Sequence, residues 1–505
     1  IVMSSYHSTL QSHIDRLWDL VVQYGFDPIM SLRYISCLLD IKHLDWKRKR
    51  RGMRMEEDVQ DAVGYLSQKR VWEIESDQGV DYFLKIDDPE LIIRPGDIES
   101  SRLTSDLLVQ SINLVNSVYE EIERRYLNGE SSSEAMEGYL YEQLLNRTVG
   151  LGKRGQFRTP RHIVKLMVGL IRPQEGEEVL DPVCGTGGFL LNACQYIIRE
   201  NLKRRSPSLI GKDEDGFETI TADYFWEGGD GKFSARGFDN DDTMVKLAQL
   251  NFRMHGIEGA RIEQRDILAG LEEWMNLEDF WSPVEKSKPM ADVILANPPF
   301  GVRVKNWQTK RMEASEALFL KQIVSILRPG GRAVVIVPEG MVFNKTFKDI
   351  REELVEGNRL NAVISLPAGV FQPYTQGKST IFVFTKEVPT AKDYPVWFYE
   401  LENDGYSLDI NRRRLKNFPL TELLDVYEKK EMVSEEAKKG AFYVSSKEIR
   451  DNDFDLSYNL YKENDYVKQT VEKPQEIIRQ LMGLEEKVYQ KMKELDSYFS
   501  EKWEM

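Results

Sequence analysis

From Glu178 to Phe384 short β-branched segments alternate with stretches of helical period, and few architectures accommodate that alternation. "EEVLD" runs into the glycine-rich "PVCGTGG" and then the apolar "FLLNACQYII", while "SARGFD" runs into "NDDTMVKLAQLNFRMHG". "ARIEQRD", "ADVILA", "RAVVIVP", "NAVISLP" and "TIFVF" supply further strands. Parallel strands need long crossovers, which helices of this length provide, so the pattern predicts an α/β, doubly wound parallel sheet. Ligands of such sheets sit beyond the carboxyl ends of the strands, where every unusual stretch of this sequence falls.

The first of these stretches is "DPVCGTGG", Asp181 to Gly188, which follows a strand and opens a helix. Helix N-terminal amides there can meet a nucleotide-like ligand, although any tight strand-to-helix turn uses glycine and the spacing is not the dinucleotide fingerprint. Asp239 ends the second strand, the usual place for a carboxylate that accepts both ribose hydroxyls, and Asp266 ends the third, within reach of an adenine amino group. Each alone reads as a cap or a solvated turn residue; together with the glycine turn they outline an adenosine pocket. "GKST", Gly377 to Thr380, resembles the end of a phosphate-binding loop, but Gln372 stands where its first glycine belongs and a strand follows instead of a helix. ATP hydrolysis is therefore excluded.

"ADVILANPPFG", residues 291 to 301, ends a strand with an amide, two prolines and an aromatic ring. Pro298 and Pro299 lack backbone donors and fix the turn, which leaves the Asn297 amide oxygen and the Pro298 carbonyl to accept hydrogen bonds. Two convergent acceptors suit an exocyclic amino group, and Phe300 adds a face for base stacking, a contact contributing about 1–3 kcal/mol. The plainer reading is a strand-terminating turn with a buried Phe.

Outside the sheet pattern, residues 3–150 read as a helical domain, with "IDRLWDLVVQYGF" and "LLVQSINLVNSVYEEIERRYL" apolar at helical spacing. "KRKRR", Lys47 to Arg51, reads as a solvated face or connector rather than a phosphate patch. The sheet region is expected over 151–390, with a surface excursion at 203–232; the strand pattern stops after Lys386, and 391–470 is expected to pack on the catalytic domain. From 471 to 505 a helix is expected, with Ile477, Leu481, Leu484, Val488, Met492 and Leu495 near heptad spacing, the form of a subunit contact.

No apolar run approaches the roughly 18 residues that span a bilayer, and no leader pattern opens the chain, so a cytoplasmic location is expected and no membrane partner. Cys37, Cys184 and Cys194 lack metal-ligand spacing and the histidines form no ligand pair, so neither disulfides nor a metal site is expected. A formal net charge of −15 is the wrong sign for holding nucleic acid unaided. After the last strand no run of interleaved basic and aromatic residues suited to base reading is evident.

Five segments, "GQFRTPRHIV", "DPVCGTGGFLLNA", "NPPFG", "LRPGGRAVVIVPEGMVF" and "SLPAGVF", together with "DFDLSYNLYKE" at Asp453 to Glu463, resemble the modification (methyltransferase) subunits of type I restriction-modification systems. The resemblance covers about 140 to 465. It implies a Rossmann-like, S-adenosylmethionine-dependent sheet with an N-terminal helical domain and a C-terminal helical extension, acting on adenine N6 in DNA. Carried over by motif, Gln156, Thr159 and Pro160 enclose the methionine end of S-adenosylmethionine; Asp181, Gly185, Thr186, Gly187 and Gly188 line the cofactor; Asp239 holds its ribose and Asp266 its adenine. Asn297, Pro298, Pro299 and Phe300 hold the target base. Arg158 departs from the family, in which an aromatic residue often follows "GQF".

The family implies that a specificity subunit reads the DNA sequence and binds two modification subunits, and that a restriction/translocase subunit joins them. The target adenine must leave the stack, at a cost of a few kcal/mol. Its N6 attacks an already activated methyl group, so positioning dominates and no strong base is needed. Rival readings are a protein N5-glutamine methyltransferase, which usually has Tyr at the position of Phe300, N4-cytosine methylation, which more often has Ser at the position of Asn297, and a non-catalytic scaffold.

Overall fold

The computed structural model describes residues 2–50, 83–84, 86, 89–128, 133–147, 159–213, 215–220, 234–257, 259–268, 291–306, 311–372, 375–409, 412–416, 418–429, 440–462 and 474–503. Residues 1–460 form one compact unit and 461–505 a second.

In the first unit the strands are β1 (Glu178–Asp181), β2 (Ile210–Lys212), β3 (Glu218–Ile220), β4 (Ser234–Asp239), β5 (Ala260–Gln264), β6 (Ala291–Ala296), β7 (Arg303–Lys305), β8 (Met312–Ala314), β9 (Leu327–Pro338), β10 (Arg359–Leu366), β11 (Ser379–Thr385), β12 (Pro395–Glu400) and β13 (Ala441–Ser445). Among the described residues one large sheet has the order β13-β12-β10-β11-β9-β6-β1-β4-β5, while β2–β3 and β7–β8 are separate ribbons. β5, β4, β1, β6 and β9 run parallel, and β11 enters antiparallel between β9 and β10. After β1 the chain builds outward through β4 and β5, then returns to place β6 on the other side of β1. That reversal opens a crevice at the carboxyl ends of β1 and β6, the binding position of doubly wound sheets.

The sheet does not stop after Lys386, as the sequence pattern suggests. β12 pairs parallel with β10, and β13 closes the edge antiparallel to β12. In β12 Val396, Trp397, Phe398 and Tyr399 are all buried, a continuous run that lacks the alternation of a half-exposed strand. The 203–232 stretch is not wholly irregular either: β2 and β3 pair within it, and Phe217 joins the main core.

The longer helices described in this unit are α1 (Val2–Gln23), α2 (Pro28–Arg50), α3 (Ser105–Leu127), α4 (Ser133–Asn146), α5 (Arg161–Ile171), α6 (Gly188–Arg205), α7 (Asp242–Met254), α8 (Ser315–Ile326) and α9 (Leu420–Lys429). One core lies under the sheet, with α5, α6 and α9 packed against it; another joins α1 to α4. α7 serves both, because Val245, Ala248 and Phe252 join the sheet core whereas Leu247, Leu250 and Met254 join the helical one. Each set repeats at three and then four residues, and the sets are offset by two, so the two stripes occupy different sides of one helix. Each fully buried Leu or Phe contributes about 1.5–3 kcal/mol. Polar pins reinforce the seam: Arg253 Nη1 meets the fully buried Asp40 at 2.6 Å, Asp40 also accepts from Ile92 N at 2.7 Å, and Lys246 reaches Asp97 at 2.8 Å.

The second unit contains α10 (Pro474–Trp503), in which Leu481, Leu484, Val488, Met492 and Leu495 are each more than half exposed. The Ile477 side chain and most of "KRKRR" lie outside the described residues. No helix among the described residues is long and apolar enough to cross a membrane, and none of their His, Cys, Asp or Glu side chains cluster as metal ligands.

Candidate active site

The turn from β1 into α6 is built by its own backbone. Cys184 N donates to Phe238 O of the adjacent strand and Gly187 N to Cys184 O, both at 2.8 Å. Gly185 and Gly187 have φ of +51° and +79°, a region that costs most L-residues about 1–2 kcal/mol. A Cβ at Gly237 of β4 would come within 2.8 Å of Leu190 and Ile262, so glycine there lets α6 settle on the sheet. In front of the turn, by contrast, a Cβ at Gly185 or Gly188 would meet nothing within 4 Å. The tight side faces the core and the open side faces a cavity.

Two carboxylates hold that turn. Asp181, 1% exposed, accepts from Val183 N at 3.0 Å. Burial pushes its carboxyl up to about 8, and the charge of Asp239 adds to the shift. Asp239 accepts from Gly185 N at 3.0 Å and Asp241 N at 2.9 Å; burial raises its pKa too, against the pull of those amides. Two oxygens with two lone pairs each leave Asp239 capacity for a ligand. Asp266, just beyond β5, is exposed and accepts from Leu268 N at 2.9 Å.

At the tip of β6, Asn297 Nδ2 donates to Thr159 Oγ1 at 2.9 Å, while Asn297 Oδ1 is buried with no partner. The amide is thus oriented through its nitrogen, and its acceptor is left over. The Pro299 carbonyl is occupied, accepting from Ser315 Oγ at 3.0 Å, and Glu316 takes Gly301 N at 2.5 Å. Phe300 is half-buried and meets Phe371 edge-on, with ring centroids 6.2 Å apart.

The cavity holds about 720 Å³, within the range of small-ligand sites. Thr159, Pro160, Gly185, Thr186, Gly188, Asp239, Asp266, Asn297 and Pro299 all line it. Asp181, Gly187, Pro298 and Phe300 neighbour these residues in sequence but are not part of the lining. Gln156 and Arg158 lie outside the described residues. The donor set fits an adenosine-containing ligand: an open glycine cradle, a carboxylate beside it and a second at the next strand end.

Sequence reasoning missed a wall. His162, near the start of α5, bonds the buried Asp404 through Nε2 at 2.8 Å, and Tyr406 stacks on its ring with centroids 4.5 Å apart. Arg412 also pairs with Asp404, and His162, Tyr406 and Arg412 line the cavity. The partners are over 240 residues apart in sequence, and the only signal near them was the "TPRH" stretch that begins at Thr159. The Gly377–Thr380 segment enters β11 in the sheet, with Thr380 Oγ1 on Glu339 at 3.2 Å. Phosphate-loop geometry is absent there.

Comparison with known proteins gives a consistent answer. The model of the family described as N-6 DNA Methylase matches residues 132–470. The chain is 31% identical over 303 residues to the type I restriction enzyme EcoEI methylase subunit of Escherichia coli, an alignment spanning 58% of this chain and 53% of that one. The chain spans about half the length of the curated relatives it matches. Among solved structures, a chain from a study of complex assembly in the type I restriction-modification system is similar over 97% of this chain and 98% of its own, with TM-score 0.62 and 22% identity. The type I restriction-modification system methyltransferase subunit from Streptococcus thermophilus is similar over 90% and 98%, with TM-score 0.60 and 19% identity. Both likenesses concern the fold.

Proposed function

The chain belongs to the N-6 DNA methylase family, and on that premise we propose that it transfers a methyl group from S-adenosylmethionine to N6 of a flipped-out adenine in DNA. The observation that carries this reading is the buried, unpartnered Oδ1 of Asn297 on the cavity wall. A buried acceptor left without a donor costs about 1–3 kcal/mol, and an adenine amino group supplies that donor.

Gly185, Thr186 and Gly188 would hold the cofactor against the start of α6, Asp239 its ribose and Asp266 its adenine, while Thr159 and Pro160 close the opposite wall. S-adenosylmethionine, when bound, supplies a methyl carbon activated for attack. Asn297 Oδ1 would accept one N6 hydrogen from the cavity wall, and the Pro298 carbonyl, set back from the lining, would have to come forward to take the second; together they would draw that nitrogen towards tetrahedral geometry and free its lone pair. Pro299 serves by rigidity, its carbonyl being held by Ser315. Phe300, braced by Phe371, would turn its face to the base. Asp181 would act through the Val183 amide to hold the shape of the turn. No residue here need remove a proton before transfer, because N6 becomes acidic only once alkylated.

A net charge of −15 supports the further reading that the chain works as the modification subunit of a type I assembly, with a specificity subunit reading the sequence. Two such chains per specificity subunit, and a restriction/translocase subunit joining them, complete the proposed assembly. Helices α1 to α4 and α10, with its exposed apolar stripe, are the proposed subunit contacts. The test is to express the chain in a host lacking adenine methylation, with and without its specificity subunit, and map modified bases by single-molecule sequencing. N6-methyladenine at one recurrent site, present only with the partner and lost in Asn297→Ala, is expected; an unmodified genome under both conditions would overturn the reading.

A further inference from the structure

The segment Tyr406–Phe418, "YSLDINRRRLKNF", places four basic residues between two aromatic ones, and Tyr406 and Arg412 of it line the cavity. Its described part is a pinned turn. Ser407 N donates to Arg413 O and Leu415 N to Gly405 O, both at 2.7 Å, and Arg413 N donates to Ser407 Oγ at 2.7 Å. Below it the buried Asp404 holds Arg412, and Tyr406 N donates to Asp404 Oδ1 at 3.3 Å. Gly405 is pressed so closely on Phe418 that a Cβ would lie 2.0 Å from its ring.

The four cations of this turn have different fates. Arg412 is paired with Asp404 inside the wall, and Arg414 reaches Asp215 at 3.0 Å. Asp409 accepts Arg412 N at 3.2 Å in the same turn. Arg413 and Lys416 are exposed and form no ion pair among the described residues. Arg413 follows directly on Arg412, which lines the cavity, so its Cα lies about 3.8 Å from that of a wall residue.

We propose that Arg413 and Lys416 bind the phosphates of the DNA strand beside the flipped nucleotide. The inference rests on the reading of the site as a DNA-adenine methyltransferase. A flipped base stays covalently in its strand, so the phosphates on either side must cross the rim of the cavity that receives it. On an acidic chain, uncompensated cations on a rigid rim supply local attraction without attracting nucleic acid over the whole surface. Asp404 and Asp215 pair with Arg412 and Arg414; Arg413 and Lys416 remain for the ligand.

The test uses the assembled methyltransferase with its specificity subunit and an unmethylated duplex carrying the mapped target. Each phosphate contact contributes about 0.9 to the slope of log K against log salt, so Arg413→Gln/Lys416→Gln should flatten that slope by about 1.8. Equivalently, the variant-to-wild-type ratio of Kd should fall about 12-fold between 50 and 200 mM salt, by the same relation. Each single variant should give about half of the change in slope, and Lys392→Gln, exposed and remote in sequence, should leave it unaltered. S-adenosylmethionine affinity measured on the same samples reports that the variants are folded. Coincident slopes for variant and wild type, with adenine methylation intact in the wild type, would overturn the rim inference alone. A wild-type assembly that neither binds nor methylates DNA would remove both readings.

Discussion

Replacing Thr159 with valine preserves the shape of the side chain and removes the oxygen that receives Asn297 Nδ2 at 2.9 Å. The amide nitrogen then has no partner in a part-buried site, a loss of about 1–3 kcal/mol. The amide can recover some of it only by turning, which takes Oδ1 away from the amino group it would accept. If the loss falls on the transition state, kcat drops about 5- to 150-fold, since 1.36 kcal/mol is a factor of ten. Thr159→Ser restores the oxygen and should return the rate close to wild type. The assay is single-turnover methyl transfer by the assembled enzyme, with S-adenosylmethionine affinity measured separately by calorimetry. A kcat effect at unchanged cofactor affinity is expected. An unchanged rate, or a loss appearing wholly as weaker cofactor binding, would refute the coupling and return Thr159 to a role in enclosing the methionine end.

Further outcomes follow from the same geometry. Asp181, pushed up to about 8 by burial, keeps in the ligand-free native state a proton that the unfolded chain releases near pH 4, so stability falls as pH rises from about 4 through 8. Asp181→Asn should flatten that slope in urea melts, and a slope unchanged by the substitution would contradict the assignment. A cationic ligand at the turn favours the carboxylate, so S-adenosylmethionine binding should release protons near neutral pH and tighten towards pH 8; equal heats in buffers of different ionisation enthalpy would count against it. Phe300→Ala should weaken flipping by about 1–3 kcal/mol, read as reduced 2-aminopurine fluorescence at the target position, with cofactor binding intact. Arg253→Met strands the buried Asp40 and should cost about 3 kcal/mol in the first unfolding transition, whereas joint replacement with Asp40→Asn should recover part of that loss.

The parts of the fold visible in the sequence were those in which local pattern and tertiary role coincide. β6 is a short apolar run and β1 and β4 are short segments ahead of helical stretches, with Asp181, Asp239 and Asn297 at or just past their carboxyl ends, where the ligands of such sheets bind. β12 escaped because "PVWFYE" is buried continuously from Val396 to Tyr399 and follows a charged stretch, leaving no alternation to betray a strand. The wall of His162, Asp404, Tyr406 and Arg412 escaped for another reason: its contacts cross from the start of α5 to a turn between β12 and β13, and no local spacing records them. The Asn297 acceptor was expected from "NPPF", but its orientation by Thr159 depends on an approach between residues 138 positions apart. Asp181 and Phe300, expected from the motifs to line the cofactor and to hold the base, are not part of the cavity lining.

The most direct measurement is transfer of label from S-adenosylmethionine to unmodified genomic DNA by the purified chain with its specificity subunit, followed by hydrolysis and nucleoside analysis. The account predicts label in N6-methyladenosine of the deoxy series, absent without the partner and absent in Asn297→Ala. Label in N4-methylcytosine or in protein, or label in adenine that survives Asn297→Ala, would contradict it.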